Sequence, residues 1–256
     1  MSSWVWASAT CRGTSHEKSG VRLQDALSCT SIITPKNNFF IGVVSDGAGS
    51  ANYGGQGATL ACRTIFSSAR FYLRDAQSLP SNSTVEYWVD KARDRIYLAA
   101  EKRGLTSRDF AATLICVLTD GFETLIIHIG DGCAVLKDEI RNQWIAPSWP
   151  EQGEFASTTF FITDEIDLHL RITRVTEPIS SIAIFSDGLE RLALDFASQI
   201  PFDGFLDAMV KPLMKSSLPG KNSILSDMLK NYLNSELINS RTDDDKSLII
   251  ALKNES

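Results

Sequence analysis

The chain has 256 residues, 43% hydrophobic and 22% charged, with a net charge of −6 and an isoelectric point near 5.2. This length and apolar content suit a folded chain of one large domain or two small ones and exclude an intrinsically disordered one. The acidic balance argues against a broad nucleic-acid-binding surface, which needs clustered Lys and Arg, while leaving room for a local basic pocket.

In chain order, residues 3–10, 26–33 and 39–45 read as strands. Residues 54–78 place apolar side chains at helical spacing. Ser83 and Glu86 form a capping-box start for a second helix running to about residue 103, where Gly104 stops it. Strands are then expected at 111–119, 124–130, 133–138, 141–145, 158–162 and 181–186. The Asp120-Gly121 pair suits a tight hairpin turn between the first two. Helical segments follow near 189–197, 202–214 and 222–235, and SLIIALK (247–253) is a last strand. Consecutive strands with short turns, and helices in pairs, predict an α+β layered fold with antiparallel sheet rather than a parallel βαβ fold.

The loop-like pieces at 34–38, 146–154, 176–181 and 216–221 are too short to separate domains, so residues 1–256 are expected to form a single domain. The N-terminus lacks a basic segment followed by a long apolar core, so no signal peptide is expected. Nor does any stretch approach the ~18 uninterrupted apolar residues of a membrane span. Five cysteines without CxxC spacing (Cys11, Cys29, Cys62, Cys116 and Cys133) fit reduced thiols in a cytoplasmic protein.

The chemistry lies at the strand ends. FFIGVVSDG, IIHIGDG and IAIFSDG each run from apolar residues through a small residue into Asp-Gly, at Asp46, Asp131 and Asp187. A fourth acidic cluster, Asp243-Asp244-Asp245, precedes the last strand. One such ending is a common Asx turn, and an acidic triplet by itself is a common solvated loop. Gathered together, however, these carboxylates repel one another unless a cation neutralises them. All-oxygen ligands select hard ions such as Mg²⁺ or Mn²⁺, and no His or Cys has zinc-site spacing. GAGSANYGG does not fit a dinucleotide loop, and an Asp directly before it would repel a pyrophosphate. Phosphate-binding GxxxxGK[ST], cysteine-phosphatase and GxSxG signatures are absent. DDDKS fits DxDxS on paper, but an aspartyl-phosphate nucleophile belongs after an early parallel strand.

At this point the sequence resembles the metal-dependent protein serine/threonine phosphatases of type 2C, and within them a bacterial branch. The matching motifs run in order: GTSHEKSGVRLQDA (13–26), VVSDGAGSANYGGQGA (43–58), DFAATLICVL (109–118), IHIGDGCAVL (127–136), PEQGEFASTTFFIT (150–163), IFSDGLERL (184–192) and TDDDKSLIIAL (242–252). The resemblance implies a four-layer αββα sandwich, two antiparallel sheets flanked by helices, with the site in a cleft at one end. It implies two, and with Asp131 three, Mn²⁺ or Mg²⁺ ions. Asp46 matches the carboxylate that bridges two of them, Gly47 the backbone carbonyl ligand, and Asp187 and Asp244 terminal ligands. Asp244 is preferred to Asp245 because it stands three residues before Ser247, as the ligand does in the family pattern. Asp131 matches a ligand of the third, weaker ion, and Asp25 an acid behind the ligands.

The sequence departs from the family at three positions. Gln24 replaces a Glu that reaches a metal through water. Gly20 replaces a phosphate-binding Arg, leaving His16, Lys18 and Arg22 as candidates. Ala48 replaces a His proposed as general acid, for which His16 is the substitute, although His16 reads equally well as a polar loop residue. The implied reaction is direct in-line attack on a phosphoserine or phosphothreonine protein by a water held between two ions, without a phosphoenzyme. The implied partners are that phosphoprotein and a cognate kinase, with neither nucleic acid nor membrane. Two other readings remain: a catalytically weak domain that binds phosphoproteins, and a phosphatase acting on small molecules or phosphotyrosine.

Overall fold

In the computed structural model, residues 3–151, 159–166, 168–216 and 218–254 are described. The chain starts with β1 (Ser3–Cys11), a short helix α1 (Thr14–Ser19), β2 (Ala26–Ile33) and β3 (Asn38–Ser45). Two long helices follow, α2 (Gly54–Ala76) and α3 (Asn82–Glu101). Then come β4 (Leu114–Thr119), β5 (Thr124–Ile129), β6 (Cys133–Asp138), β7 (Trp144–Ser148), β8 (Arg171–Val175) and β9 (Ile179–Phe185). After α4 (Glu190–Ala193), a two-residue pairing joins β10 (Leu194–Asp195) to β11 (Ile200–Pro201). The remainder is α5 (Asp203–Val210), β12 (Gly220–Lys221), α6 (Ser223–Leu233), α7 (Glu236–Asn239) and β13 (Lys246–Asn254).

The strands form two large sheets, ordered β12-β1-β13-β9-β6-β7 and β2-β3-β4-β5-β8. All pairings are antiparallel except β1 with β12. Strand alternation explains the layers. In β3, Phe39, Ile41 and Val43 face α2 and α3, while Phe40 and Val44 face the other sheet. In β13, Leu248, Ile250 and Leu252 face α5 and α6, while Ile249 and Ala251 face inward. Both sheets are therefore covered on both faces, which is why their central strands read as nearly unbroken apolar runs. Trp4 and Trp6 of β1 pack on Phe40 with ring centroids 5.5 and 5.7 Å apart, tying the sheets together at their centre. The expected four-layer αββα sandwich is the observed one.

Several element boundaries differ from expectation. Ser81, not Ser83, caps α3, its side chain accepting the Thr84 N–H at 3.2 Å. The expected strand at 111–119 begins only at Leu114, because Thr106 and Asp109 cap each other around a 3-10 turn at Ser107–Phe110. The 141–145 strand lies three residues later, as β7. Of the 158–162 strand, residue 158 lies outside the described residues, and the rest contributes only an isolated bridge residue at 159 before a turn. The helix expected at 189–197 ends at Ala193 and gives way to β10. Asp120-Gly121 turns the chain within a four-residue loop, where the Asp120 carboxylate accepts the N–H groups of Phe122 and Glu123 at 2.9 Å. No described helix is long and apolar enough to cross a membrane.

Candidate metal centre

Strand register gathers the acidic endings. Within one sheet Val44 pairs with Ile115 and Leu114 with Ile129, so the ends of β3 and β5 flank the start of β4. Within the other, Phe185 pairs with both Cys133 and Leu248, which aligns the end of β9 with the starts of β6 and β13. The turn at 130–132 crosses from one sheet to the other. Asp46, Asp131, Asp187 and Asp244 thus sit at one end of the sandwich, lining a cleft of ≈ 960 Å³.

Each loop is held by backbone geometry that the local sequence permits. Asp46 exchanges hydrogen bonds with Thr113: its N–H donates to Thr113 Oγ1 at 3.1 Å, and its carbonyl accepts the Thr113 N–H at 2.8 Å. Gly47 and Ala48 donate to the carbonyls of Gln24 (3.2 Å) and Ala111 (2.9 Å). A Cβ on residue 47 would fall 2.1 Å from the carbonyl carbon of Gly54, so only glycine lets the loop turn this tightly into α2. Asp131 stands between Gly130 and Gly132, at φ +94° and +77°, in a region other residues rarely enter.

The electrostatics are strained. Burial holds the carboxyls of Asp46 and Asp187 well above the ordinary range. Neighbouring charge adds to this: Asp25, Asp187 and Asp131 for Asp46, and Asp131, Asp244 and Asp25 for Asp187. Burial likewise raises Asp131, partly offset by the Thr159 hydroxyl donating to its Oδ2 at 2.5 Å. Behind them Asp25 is buried and raised in the same way, and it accepts the Ser186 hydroxyl at 2.8 Å. Ser186 Oγ in turn accepts the Ser247 N–H at 3.0 Å, linking the two sheets below the cleft.

The acidic triplet divides its tasks. Asp244 lines the cleft. Asp245 is buried and turned away, accepting the N–H groups of Gly13 and Gln24, each at 2.6 Å. His16 also lines the cleft, and its Nδ1 lies 3.0 Å from Asp245 Oδ1. Gln24 is buried, and its Oε1 has no hydrogen-bond partner among the described residues. Lys18 and Arg22 are exposed and stand apart from the cleft lining, and Gly20 is the left-handed cap of α1. Sequence reasoning missed Arg108. It is the one Lys or Arg among the described lining residues, and no ion pair occupies it among the described residues. Its turn is fixed to the Asp46 loop by the Tyr53 N–H donating to Asp109 O at 2.8 Å.

The donors suit a hard cation. Four half-buried carboxylates share one cleft, and Asp187 Oδ1 is buried without a hydrogen-bond partner among the described residues. Among the described residues no three His, Cys, Asp or Glu side chains stand close enough together to hold one ion, although the four carboxylates line the same cleft. Oxygen-only donors of this kind fit a hard ion such as Mg²⁺ or Mn²⁺ better than they fit zinc.

Comparison with known proteins decides the relationship. The protein phosphatase 2C family profile matches residues 12–234. The chain belongs to the protein phosphatase 2C family. Serine/threonine-protein phosphatase 3 of Escherichia coli (strain K12) is 32% identical over 253 residues, spanning 98% of both chains. Among solved structures, PppA, a key regulatory component of T6SS in Pseudomonas aeruginosa, superposes with a TM-score of 0.64 at 17% identity, covering 99% of this chain and 100% of that one. The catalytic domain of serine/threonine protein phosphatase PstP, in complex with two manganese ions, does so at 0.63 and 14% identity over 100% of both. At such low identity these structures bear on the fold. Protein phosphatase 2C enzymes are metal-dependent, in keeping with the carboxylate-lined cleft.

Proposed function

We propose that this protein phosphatase 2C chain hydrolyses phosphoserine and phosphothreonine on proteins, with residues 1–256 acting as one catalytic domain. The carrying observation is the convergence of Asp46, Asp131, Asp187 and Asp244 on one cleft with Arg108 at its wall. Two Mn²⁺ or Mg²⁺ ions held by Asp46, the Gly47 carbonyl, Asp187 and Asp244, with a weaker third at Asp131 and Asp187, would polarise the phosphoryl oxygens and activate water.

The chain's own groups supply the rest. Asp46 is fixed at the centre by its paired bonds to Thr113. Arg108 orients the phosphoryl group by charge-assisted hydrogen bonds, the task Gly20 cannot perform. His16, whose Nδ1 lies 3.0 Å from Asp245 Oδ1, donates a proton to the departing seryl or threonyl oxygen. Asp25 and Gln24 brace the ligand loops from behind. The reaction passes through no covalent phosphoenzyme, and a cognate kinase in the same cytoplasmic compartment makes the substrate.

The test is a panel of phosphoserine, phosphothreonine and phosphotyrosine peptides assayed with Mn²⁺, with Mg²⁺ and with excess EDTA. Metal-dependent release of phosphate from the first two is expected. Activity that persists in EDTA would refute the mechanism.

A further inference from the structure

We infer that the face between α5 and α6 is a docking groove for an acidic amphipathic segment of a partner protein. Two adjoining hollows of ≈ 150 and ≈ 860 Å³ open there and share Ala208, Pro212, Leu225 and Met228 in their walls. Neither shares a lining residue with the acidic cleft. The surroundings are unusually apolar for an exposed surface: Met214, Leu218, Ile224 and Met228 are 62%, 76%, 75% and 58% exposed. Every methionine in the sequence other than Met1 lies here, as Met209, Met214 and Met228. Flexible thioethers suit a surface that moulds itself to a bound side chain.

Charge decides the occupant. The chain carries −6 overall, yet among the described residues the only charged ones lining the larger hollow are Lys211, Lys215 and Lys221. None has an ion-pair partner among the described residues. A trough between two helical segments, apolar below and cationic at its rim, matches a helix with one apolar and one acidic face. A second copy docking symmetrically would oppose these lysines to one another. A lipid surface is flat and would leave the concave floor unfilled.

The probe is a fluorescein-labelled synthetic peptide of roughly four helical turns, with Leu and Phe at i, i+3, i+4 and i+7 and Glu elsewhere. Its anisotropy is followed on titration with the full chain, beside a scrambled peptide and one carrying Lys for Glu. Saturable binding is expected for the acidic amphipathic peptide alone. The combined Lys211→Glu, Lys215→Glu and Lys221→Glu variant should weaken it about tenfold or more. The separate Met228→Glu variant should weaken it while leaving aryl phosphate hydrolysis unchanged. Equal binding of the scrambled peptide, unchanged affinity in both variants, or no saturable binding would overturn the proposal. So would sedimentation with anionic phosphatidylserine vesicles, or self-association by light scattering, if abolished by the same substitutions while peptide binding is not.

Discussion

His16 Nδ1 lies 3.0 Å from Asp245 Oδ1, and the same carboxylate gathers the backbone N–H groups of Gly13 and Gln24. Asp245 therefore organises the opening loop around the cleft, whereas Asp244 beside it faces the cleft itself. Adjacent acids with opposite orientation should respond differently to substitution.

Asp245→Asn keeps one acceptor oxygen for two buried N–H groups, and an unsatisfied buried donor costs about 1–3 kcal/mol. It should lower the melting temperature of the metal-free protein and reduce kcat. Asp244→Asn should leave that melting temperature nearly unchanged and raise the Mn²⁺ concentration needed for activity. Thermal denaturation with and without Mn²⁺ separates the two, and equal destabilisation would contradict the assignment.

Asp46→Asn and Asp187→Asn should each abolish measurable Mn²⁺-dependent hydrolysis. Without metal, they should stabilise the protein above neutral pH. Both carboxyls are raised in the folded state, so ionising them works against folding at high pH, and a neutral side chain removes that penalty. Denaturant titrations at pH 8 in EDTA give the sign directly.

Glu190 offers a pH test directly behind the Asp131 turn. It is buried and accepts the Gly132 N–H at 2.8 Å, and burial pushes its carboxyl up to about 7. A raised folded-state pKa means the folded protein holds its proton longer than the unfolded chain does. Stability is then lost as pH rises from the unfolded value toward and through 7, on the order of 3 kcal/mol. Glu190→Gln should flatten this slope between pH 5 and 8. A wild-type curve that rises over that window, and a variant that follows it, would contradict this.

Arg108→Ala should raise KM for phosphopeptides and aryl phosphates by about tenfold or more, with little change in melting temperature, because the side chain is exposed. Arg108→Lys should recover only part of the loss, since an ammonium cannot make the two-pronged contact. An unchanged KM in the Ala variant would remove Arg108 from the phosphate site.

Saturating Mn²⁺ should stabilise the wild type by about 2.7 kcal/mol at a hundredfold excess over its Kd. Asp46→Asn should lose most of that gain, as calorimetric scans would show.

The acidic endings were legible because each combines two local signals, an apolar strand and a small-residue turn, and register does the rest. Arg108 was not legible. Its link to Asp46 runs through the Tyr53 N–H to the Asp109 carbonyl, a tertiary contact with no sequence spacing. The apolar run around Phe161 and Ile162 suggested a strand. Phe161 instead packs on Ala48, Ala51 and Ala111 at the cleft wall, while Ile162 enters the helix-covered core. β8 was overlooked because Arg171 and Arg174 broke its apolar character, although Arg174 is paired with Glu123 across the sheet edge. Lys18 and Arg22 stand near the cleft motif in sequence alone; α1 carries Lys18, and the loop after it Arg22, to the surface.

The pairing of Cys11 with Lys246 places one of the earliest strands against one of the latest. During synthesis β1 must wait, unpaired on that side, until β13 exists, and Asp244 arrives with the same segment. A growing chain therefore has neither a finished central sheet nor all four of the carboxylates proposed to hold metal. Turnover is deferred until the fold closes, so a nascent phosphatase cannot act on the phosphoproteins around it.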